Sequence, residues 1–280
     1  MEVAMSTNQK TESLERMIRM SMLVTAALLV LLIVLTVVFF ATKPSTKPVK
    51  DPDTVTTVTP GENTPTNTPV DDGVTLPLTP DAGIAYQDKI IFVGDSLTAH
   101  LINRGVLTGG SDTKQVWRCE NNMMNLNSEV TAAKIIYPGT GKKMTVAEAA
   151  AEAKPEIMII TLGTDWGVAY LSEDEFKACY SSLIKTIQKA SPNTKIILQS
   201  IFPVTAGCVS LDNTKIDTAN KWVKAIAAEN GCSYLDTQSI LKDEKNCLKE
   251  SYCNDDQGIH LHKEAYVAIL EYIRTHALTD

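Results

Sequence analysis

The chain reads IIFVGDSL from Ile90 to Leu97, an apolar run that ends in a Gly-Asp-Ser-Leu turn. A continuous apolar run with β-branched residues is typical of a strand buried on both faces. A helix-like segment follows, so the turn is expected to lift Ser96 out of the backbone among exposed N–H groups. An acyl-transfer nucleophile needs this setting, which makes Ser96 the candidate nucleophile.

Further apolar runs follow at residues 157–162 and 195–201, with helical patterns between them. This alternation predicts an α/β domain, a three-layer α/β/α sandwich with a mostly parallel sheet. Ligands of such sheets gather at the carboxyl ends of the strands. Ser96, Gly163 and the loop after Ile201 all follow predicted strands, so we expect the functional site at this edge.

The residues before this domain have a different character. Residues 20–42 include no charged side chain and are long enough as a helix to cross a bilayer. They predict an uncleaved transmembrane anchor, with residues 1–19 as a short cytoplasmic tail. A cleaved signal peptide is the alternative, although its apolar core is usually shorter. The expected location is therefore the cell membrane, crossed once, with the catalytic domain outside the cytoplasm.

Residues 43–80 contain eight prolines among threonine, valine and aspartate. Proline at this density blocks helices and central strands, so this segment predicts a disordered extracytoplasmic linker. Residues 81–280 then form one domain, long enough to bury a substantial core.

The net charge of −7 and the absence of a basic stripe argue against a nucleic-acid partner. All six cysteines fall within residues 81–280. In an exported domain they permit disulfides, while buried free thiols are the alternative. Because the chain has no CxxC pair and no Cys/His spacing of a zinc site, no structural metal is predicted.

A serine nucleophile needs a base, and imidazole is the usual one near neutral pH. The candidate is His260, which a glycine-bearing loop, Gly258-Ile259-His260-Leu261, presents just before the last predicted helix. His100, His262 and His276 are interpreted as helix residues.

Together, Gly94-Asp95-Ser96-Leu97, Gly163 at a strand end and the GIHL segment at His260 resemble the SGNH hydrolases, also called the GDSL esterase/lipase family. The resemblance covers residues 89–277 in the family's order and spacing. It implies a flavodoxin-like sandwich, and the anchor and linker are similar to those of surface-displayed members from Gram-positive bacteria.

The resemblance also implies roles. Ser96 attacks an ester carbonyl and its own N–H helps to hold the oxyanion, while His260 serves as general base and then as general acid. Gly163 belongs to the oxyanion region. Family members typically hydrolyse esters, often acetyl groups on sugars or wall polymers, and need no cofactor or metal.

The sequence departs from the family's oxyanion donors in two places. The glycine of the second motif has no clear counterpart in residues 117–123, where Asn121 or Asn122 is the nearest candidate. The asparagine of the third motif is replaced by Asp165. An ionised aspartate cannot donate to an oxyanion, and loss of one such donor costs about 10²–10³ in rate. The alternatives are a protonated Asp165 that does donate, and a side chain that turns away or serves another role.

The third departure is the acid that orients the histidine. The family's aspartate three residues before the histidine is Gln257 here, with Asp255 and Asp256 immediately before it. A small shift of the loop would bring one of these carboxylates to His260; solvated loop acids are the alternative reading.

The leading hypothesis is a surface-anchored serine esterase or deacetylase acting on acyl esters of carbohydrates or cell-wall polymers. An SGNH-fold glycan-binding module with weak or no catalysis is one alternative. An acyltransferase that uses the same site is another.

Overall fold

The computed structural model describes residues 72–279. The predicted cytoplasmic tail, transmembrane anchor and most of the proline-rich linker lie outside these residues. Within the described part of the chain, no helix is both long and apolar enough to span a membrane.

A five-stranded parallel sheet forms the centre of the domain. The strands of the described chain are β1 (Ile90–Gly94), β2 (Val116–Trp117), β3 (Lys134–Ile136), β4 (Lys143–Thr145), β5 (Ile157–Thr161), β6 (Lys195–Gln199) and β7 (Ser233–Leu235). The sheet has the order β2-β1-β5-β6-β7, while β3 and β4 form a separate antiparallel pair. Every residue of the central strand β5 is buried, as its unbroken apolar run predicts.

Helices cover both faces of this sheet. They are α1 (Gly83–Gln87), α2 (Ser96–Arg104), α3 (Val146–Ala153), α4 (Gly167–Tyr170), α5 (Glu173–Ala190), α6 (Asn213–Glu229), α7 (Gln238–Leu241) and α8 (Lys263–Arg274). Two short 3₁₀ turns lie at Gly110–Asp112 and Glu250–Tyr252.

Two apolar cores separate the three layers. Met158 and Ile160 share one core with α3, α5 and α6. Their neighbours Ile157 and Ile159 share the other with α2, α7 and α8. Successive strand side chains point to opposite faces, so a continuous apolar strand can feed both cores at once. The three-layer α/β/α architecture with a parallel sheet is thus the one that the sequence predicted.

Capping boxes in the sequence mark the start of two of the helices. Ser172 caps α5, accepting from the N–H of Glu175, while the Glu175 carboxylate accepts from the Ser172 N–H. Thr145 and Glu148 make the same reciprocal pair at α3. Each pair satisfies two backbone donors that the first helical turn would otherwise leave free.

The folded domain begins before the predicted boundary at Asp81. Thr75 pairs in parallel with Tyr234 of β7, and the Tyr234 N–H and carbonyl bond to Val74 and Leu76. Leu76 is buried at 9% exposure. The boundary was predicted from the density of prolines, which excludes helices and central strands but does not exclude contacts with the domain. Val74 and Leu76 make such contacts.

The six cysteines all lie in the described part of the chain and are free thiols there. The alternative of buried free thiols therefore fits Cys119 alone, because the other five thiols are free but only partly buried.

Candidate active site

The nucleophile turn lies at the carboxyl end of β1. Asp95 caps α2, its Oδ1 accepting from the Leu97 N–H at 3.2 Å, and Ser96 is the first residue of that helix. The first N–H groups of a helix have no partner within the helix, so Ser96 lies among backbone donors. Ser96 is half-buried, which leaves its hydroxyl open to a substrate.

Gly94 is required by the close approach of the two central strands at this turn. A Cβ on Gly94 would overlap the carbonyl oxygen of Thr161 on β5 and the side chain of Thr98 on α2. The first of these atoms is backbone within the sheet and cannot rotate away. The carboxyl end of β1 is therefore packed tightly against β5, which holds Ser96 in a fixed position.

His260 meets Ser96 from the loop before α8. The distance from Ser96 Oγ to His260 Nε2 is 3.4 Å. The other ring nitrogen, Nδ1, lies 2.5 Å from Oδ2 of Asp255. The side chains of His260 and Asp255 are 26% and 24% exposed, so the pair borders solvent. Ser96, His260 and Asp255 thus form a continuous chain of contacts. A serine–histidine distance such as this one often shortens when substrate binds.

Asp255 is itself fixed by the backbone of the histidine loop. Its Oδ1 accepts from the N–H groups of Ile259 at 3.0 Å and His260 at 3.3 Å. Burial works to raise the pKa of Asp255, but the hydrogen bonds from the His260 ring and these two amides outweigh it, and the pKa is lowered. The thiol of Cys253 also contacts the Asp255 carbonyl at 3.2 Å. Asp255 is thereby favoured in its ionised form.

Two hydrogen bonds join the nucleophile helix to the histidine side of the site. The Tyr266 hydroxyl on α8 donates to the carbonyl of Leu97 at 2.7 Å. The Arg104 Nε at the end of α2 donates to the carbonyl of Leu261 at 3.0 Å. These contacts fix α2 against α8 and so hold Ser96 and His260 in register.

Asp165 lies on the other side of Ser96, in the loop after β5. Its Oδ2 accepts from the Ser96 N–H at 3.3 Å. Asp95 joins the same loop, because its Oδ2 accepts from the N–H groups of Thr164 at 3.2 Å and Asp165 at 3.5 Å. Asp95 is fully buried; burial first, and then the negative charge of Asp165, raise its pKa. Two carboxyl groups therefore flank the serine backbone.

Comparison with known proteins identifies the family of this chain. The model of the GDSL-like lipase/acylhydrolase family matches residues 92–268, well over half of the chain. The chain belongs to the GDSL-like lipase/acylhydrolase family. A search of curated proteins gave no match.

Solved structures of low sequence identity resemble this GDSL-like chain. A GDSL-like lipase from Bacteroides thetaiotaomicron is 17% identical, with 72% of this chain and 90% of that chain covered and a TM-score of 0.43. An acetyl xylan esterase is 15% identical, with 65% and 97% covered and a TM-score of 0.46. The periplasmic domain of a lipopolysaccharide acetyltransferase from Salmonella ser. Paratyphi A is 16% identical, with 66% and 82% covered and a TM-score of 0.45. Similarities at this level identify no substrate for the GDSL-like domain.

The structure distinguishes among the three candidate acids of the histidine loop. Asp255, five residues before His260, makes the contact with the imidazole. Asp256 and Gln257 are exposed, and the described chain contains no hydrogen bond between either side chain and His260. Of these three residues, Asp255 is therefore the one that contacts the histidine, two residues before the position at which the resemblance expects the acid.

The remaining candidates of the oxyanion region divide by their contacts. The Asn122 side chain accepts from Arg118 and the Asn121 side chain from the Met123 N–H, so both bond within their own loop. Gly163 is buried at φ 130°, where a Cβ would lie 2.6 Å from the Ile201 side chain. Glycine is needed here because other residues rarely adopt this φ and because a Cβ would overlap Ile201.

His100, which the sequence predicts only as a helix residue, also lies in the site. Its ring centroid lies 4.7 Å from that of His260, at an interplanar angle of 37°. Its Nδ1 is buried without a hydrogen-bond partner in the described chain. Burial, then the charges of His260 and Arg104, lower the pKa of His100. The spacing in the sequence could have indicated this position, because His100 follows Ser96 by four residues and so lies on the same helix face.

Proposed function

We propose that this chain is a serine esterase that hydrolyses acyl esters of carbohydrates or cell-wall polymers. The observation that carries the proposal is the continuous chain of contacts Ser96 Oγ–His260 Nε2 and His260 Nδ1–Asp255 Oδ2, at 3.4 and 2.5 Å. Membership in the GDSL-like family supports esterase chemistry. The carbohydrate substrate is an expectation from the sequence resemblance.

In the proposed mechanism His260 Nε2 takes the Ser96 proton as Ser96 Oγ attacks the ester carbonyl. Asp255 holds the imidazole by its other nitrogen and stabilises the imidazolium that forms. Collapse of the tetrahedral intermediate breaks the bond to the alcohol, which leaves with the proton from His260. Water, activated by His260, then cleaves the acyl-enzyme and restores Ser96.

The test is covalent labelling and turnover with the full-length chain in mild detergent. A fluorophosphonate probe should label Ser96, and the chain should release p-nitrophenol from p-nitrophenyl acetate and acetate from acetylated xylan. Ser96→Ala should abolish labelling and lower kcat/KM by about 10⁴-fold or more. Ser182→Ala, an exposed serine on α5, is the matched control and should keep both.

One observation favours a second function, a glycan-binding module without turnover. Asp165 accepts the Ser96 N–H, the donor that an oxyanion would need. A binding module would retain saturable glycan affinity in Ser96→Ala and give no labelling of the folded wild-type chain. Labelling of Ser96 together with ester turnover would exclude it.

We further propose that residues 20–42 anchor the domain in the cell membrane, with the catalytic domain outside the cytoplasm. The support is the run without charged residues, followed by the proline-rich linker. Protease added to intact cells should release the domain if this topology holds. A domain that remains protected until the cells are lysed would contradict it.

A further inference from the structure

The nucleophile of this site is flanked by a carboxylate that no cation balances. Asp165 Oδ2 lies 3.3 Å from the Ser96 nitrogen, and the side chain is only partly buried. Among residues 72–279, no lysine, arginine or histidine forms an ion pair with Asp165. The negative charge therefore faces the position where the carbonyl oxygen of a substrate must bind.

The fold keeps this charge at the nucleophile. The Asp165 backbone N–H donates to the buried carboxyl of Asp95, which also caps α2 and binds the Thr164 N–H. The loop after β5 and the nucleophile turn are thus connected through one side chain. Burial first, and then the nearby carboxylate of Asp165, raise the pKa of Asp95.

Attack of Ser96 on a neutral ester would create an oxyanion beside this carboxylate. Like charges at this separation repel, and a partly buried site screens them less than water does. A positive charge on the substrate would remove the conflict by pairing with Asp165. It must be close to the carbonyl group, because Asp165 contacts the same N–H that the carbonyl oxygen approaches.

We propose that the acyl group of the preferred substrate carries an ammonium on the carbon next to the carbonyl, so that the enzyme cleaves 2-aminoacyl esters. This inference rests on the proposed esterase function and names its acyl group. An ammonium on that carbon is separated from the carbonyl oxygen by two atoms, which brings it within ion-pair reach of Asp165. An ammonium on the alcohol side is separated by more bonds and has no such fixed relation to Asp165.

The reaction balances in the same way as for a simple ester. Ser96 Oγ bonds to the carbonyl carbon while its proton passes to His260 Nε2. The carbon–oxygen bond to the alcohol then breaks, and the alcohol leaves with that proton. Water hydrolyses the aminoacyl-enzyme to the free amino acid and Ser96. The ammonium bonds to Asp165 throughout, which frees the Ser96 N–H to donate to the oxyanion.

The experiment compares three probes with the full-length chain: the benzyl esters of alanine (both enantiomers), N-acetylalanine and propionic acid. Each kcat/KM is divided by the rate of hydroxide-catalysed hydrolysis of the same ester, because an ammonium also activates the carbonyl chemically. The expected result is a normalised preference of at least about 10-fold for an alanine ester over the other two. Asp165→Asn should lower this preference at least 10-fold, chiefly by raising turnover of the propionyl ester.

The matched control is Asp174→Asn, an exposed carboxylate on α5, which should leave the preference unchanged. Equal normalised rates for the three esters, abolished by Ser96→Ala, would overturn the aminoacyl inference and leave the esterase function standing. Failure of the wild-type chain to cleave any of the three would contradict both. Since the N-acetyl comparison needs only the wild-type chain, the inference can be rejected even if Asp165→Asn does not fold.

Discussion

The two sides of the Ser96 hydroxyl, the histidine loop and the loop after β5, differ in how they depart from the family pattern that the sequence resembles. On the histidine side, Asp255 lies two residues before the position at which the resemblance expects the acid, and its Oδ2 lies 2.5 Å from His260 Nδ1. On the strand side, Asp165 lies where the resemblance expects an asparagine that donates a hydrogen bond, but its carboxylate accepts one from the Ser96 N–H.

The difference teaches which constraints act on each side. A loop can present a carboxylate from several positions, because orienting an imidazole needs only one oxygen at the correct distance. The loop that carries Asp165 is held to the nucleophile turn through Asp95, which accepts from the N–H groups of Thr164 and Asp165, so the side chain at position 165 lies beside Ser96. Its residue type therefore decides the chemistry.

The largest expected effect tests the histidine side. Asp255→Asn should lower kcat/KM for p-nitrophenyl acetate by about 10²–10⁴-fold, because an amide neither fixes the imidazole tautomer nor stabilises the imidazolium. Asp256→Asn, the exposed neighbour, should change it less than about 3-fold. If the two variants lost equal activity, Asp255 would not be the orienting acid.

The rigidity of the strand side can be broken at Gly94. Gly94→Ala should lower the free energy of unfolding by about 1–3 kcal/mol, because the new Cβ overlaps the Thr161 carbonyl oxygen and the Thr98 side chain. Gly207→Ala is the matched control, since its Cβ would meet nothing closer than 4.0 Å. Urea denaturation of both variants measures the difference. Equal stability of the two would show that the strand ends can separate at little cost.

The carboxyl pair on the strand side predicts a pH dependence. The pKa of Asp95 is raised in the folded chain, so the stability it contributes is present below its unfolded pKa and is lost as pH rises through the folded pKa. Asp165→Asn removes one cause of this raised pKa. Between about pH 4 and pH 8, the variant should lose less unfolding free energy than the wild type, by on the order of 1 kcal/mol. Urea titrations at several pH values measure this, and parallel curves would argue against coupling of the two carboxyl groups.

The smallest expected effect sharpens the histidine side. His100→Ala removes the ring that packs 4.7 Å from His260. A contact of this kind contributes about 0.5–1.5 kcal/mol, so kcat/KM should fall about 2–10-fold. His100→Phe should restore most of the rate because it restores the packing. If His100→Phe were as impaired as His100→Ala, packing would not be the role of His100.

The sequence predicted the parts of the fold that depend on local patterns. Continuous apolar runs located β1, β5 and β6. β2 was missed, because a strand of two residues carries no periodicity.

The site divides in the same way. Ser96 and His260 follow from short motifs, and the structure brings them together. The choice between Asp255 and Asp256 depends on how a loop without regular structure folds back, and no local pattern encodes this. Spacing places His100 on the same face of α2 as Ser96, but its packing on His260 joins residues 160 positions apart, and no local pattern encodes that contact.

The pairing of residues 74–76 with β7 has a practical consequence for handling the domain. A sheet edge with unpaired N–H and carbonyl groups is a template for association with other chains. The backbone of Val74 and Leu76 hydrogen-bonds to the N–H and carbonyl of Tyr234 at this edge. A recombinant fragment that starts at Asp81 lacks these residues, so both groups of Tyr234 would be left unpaired. Such a fragment is expected to aggregate, whereas one that starts ahead of Asp72 carries its own edge protection.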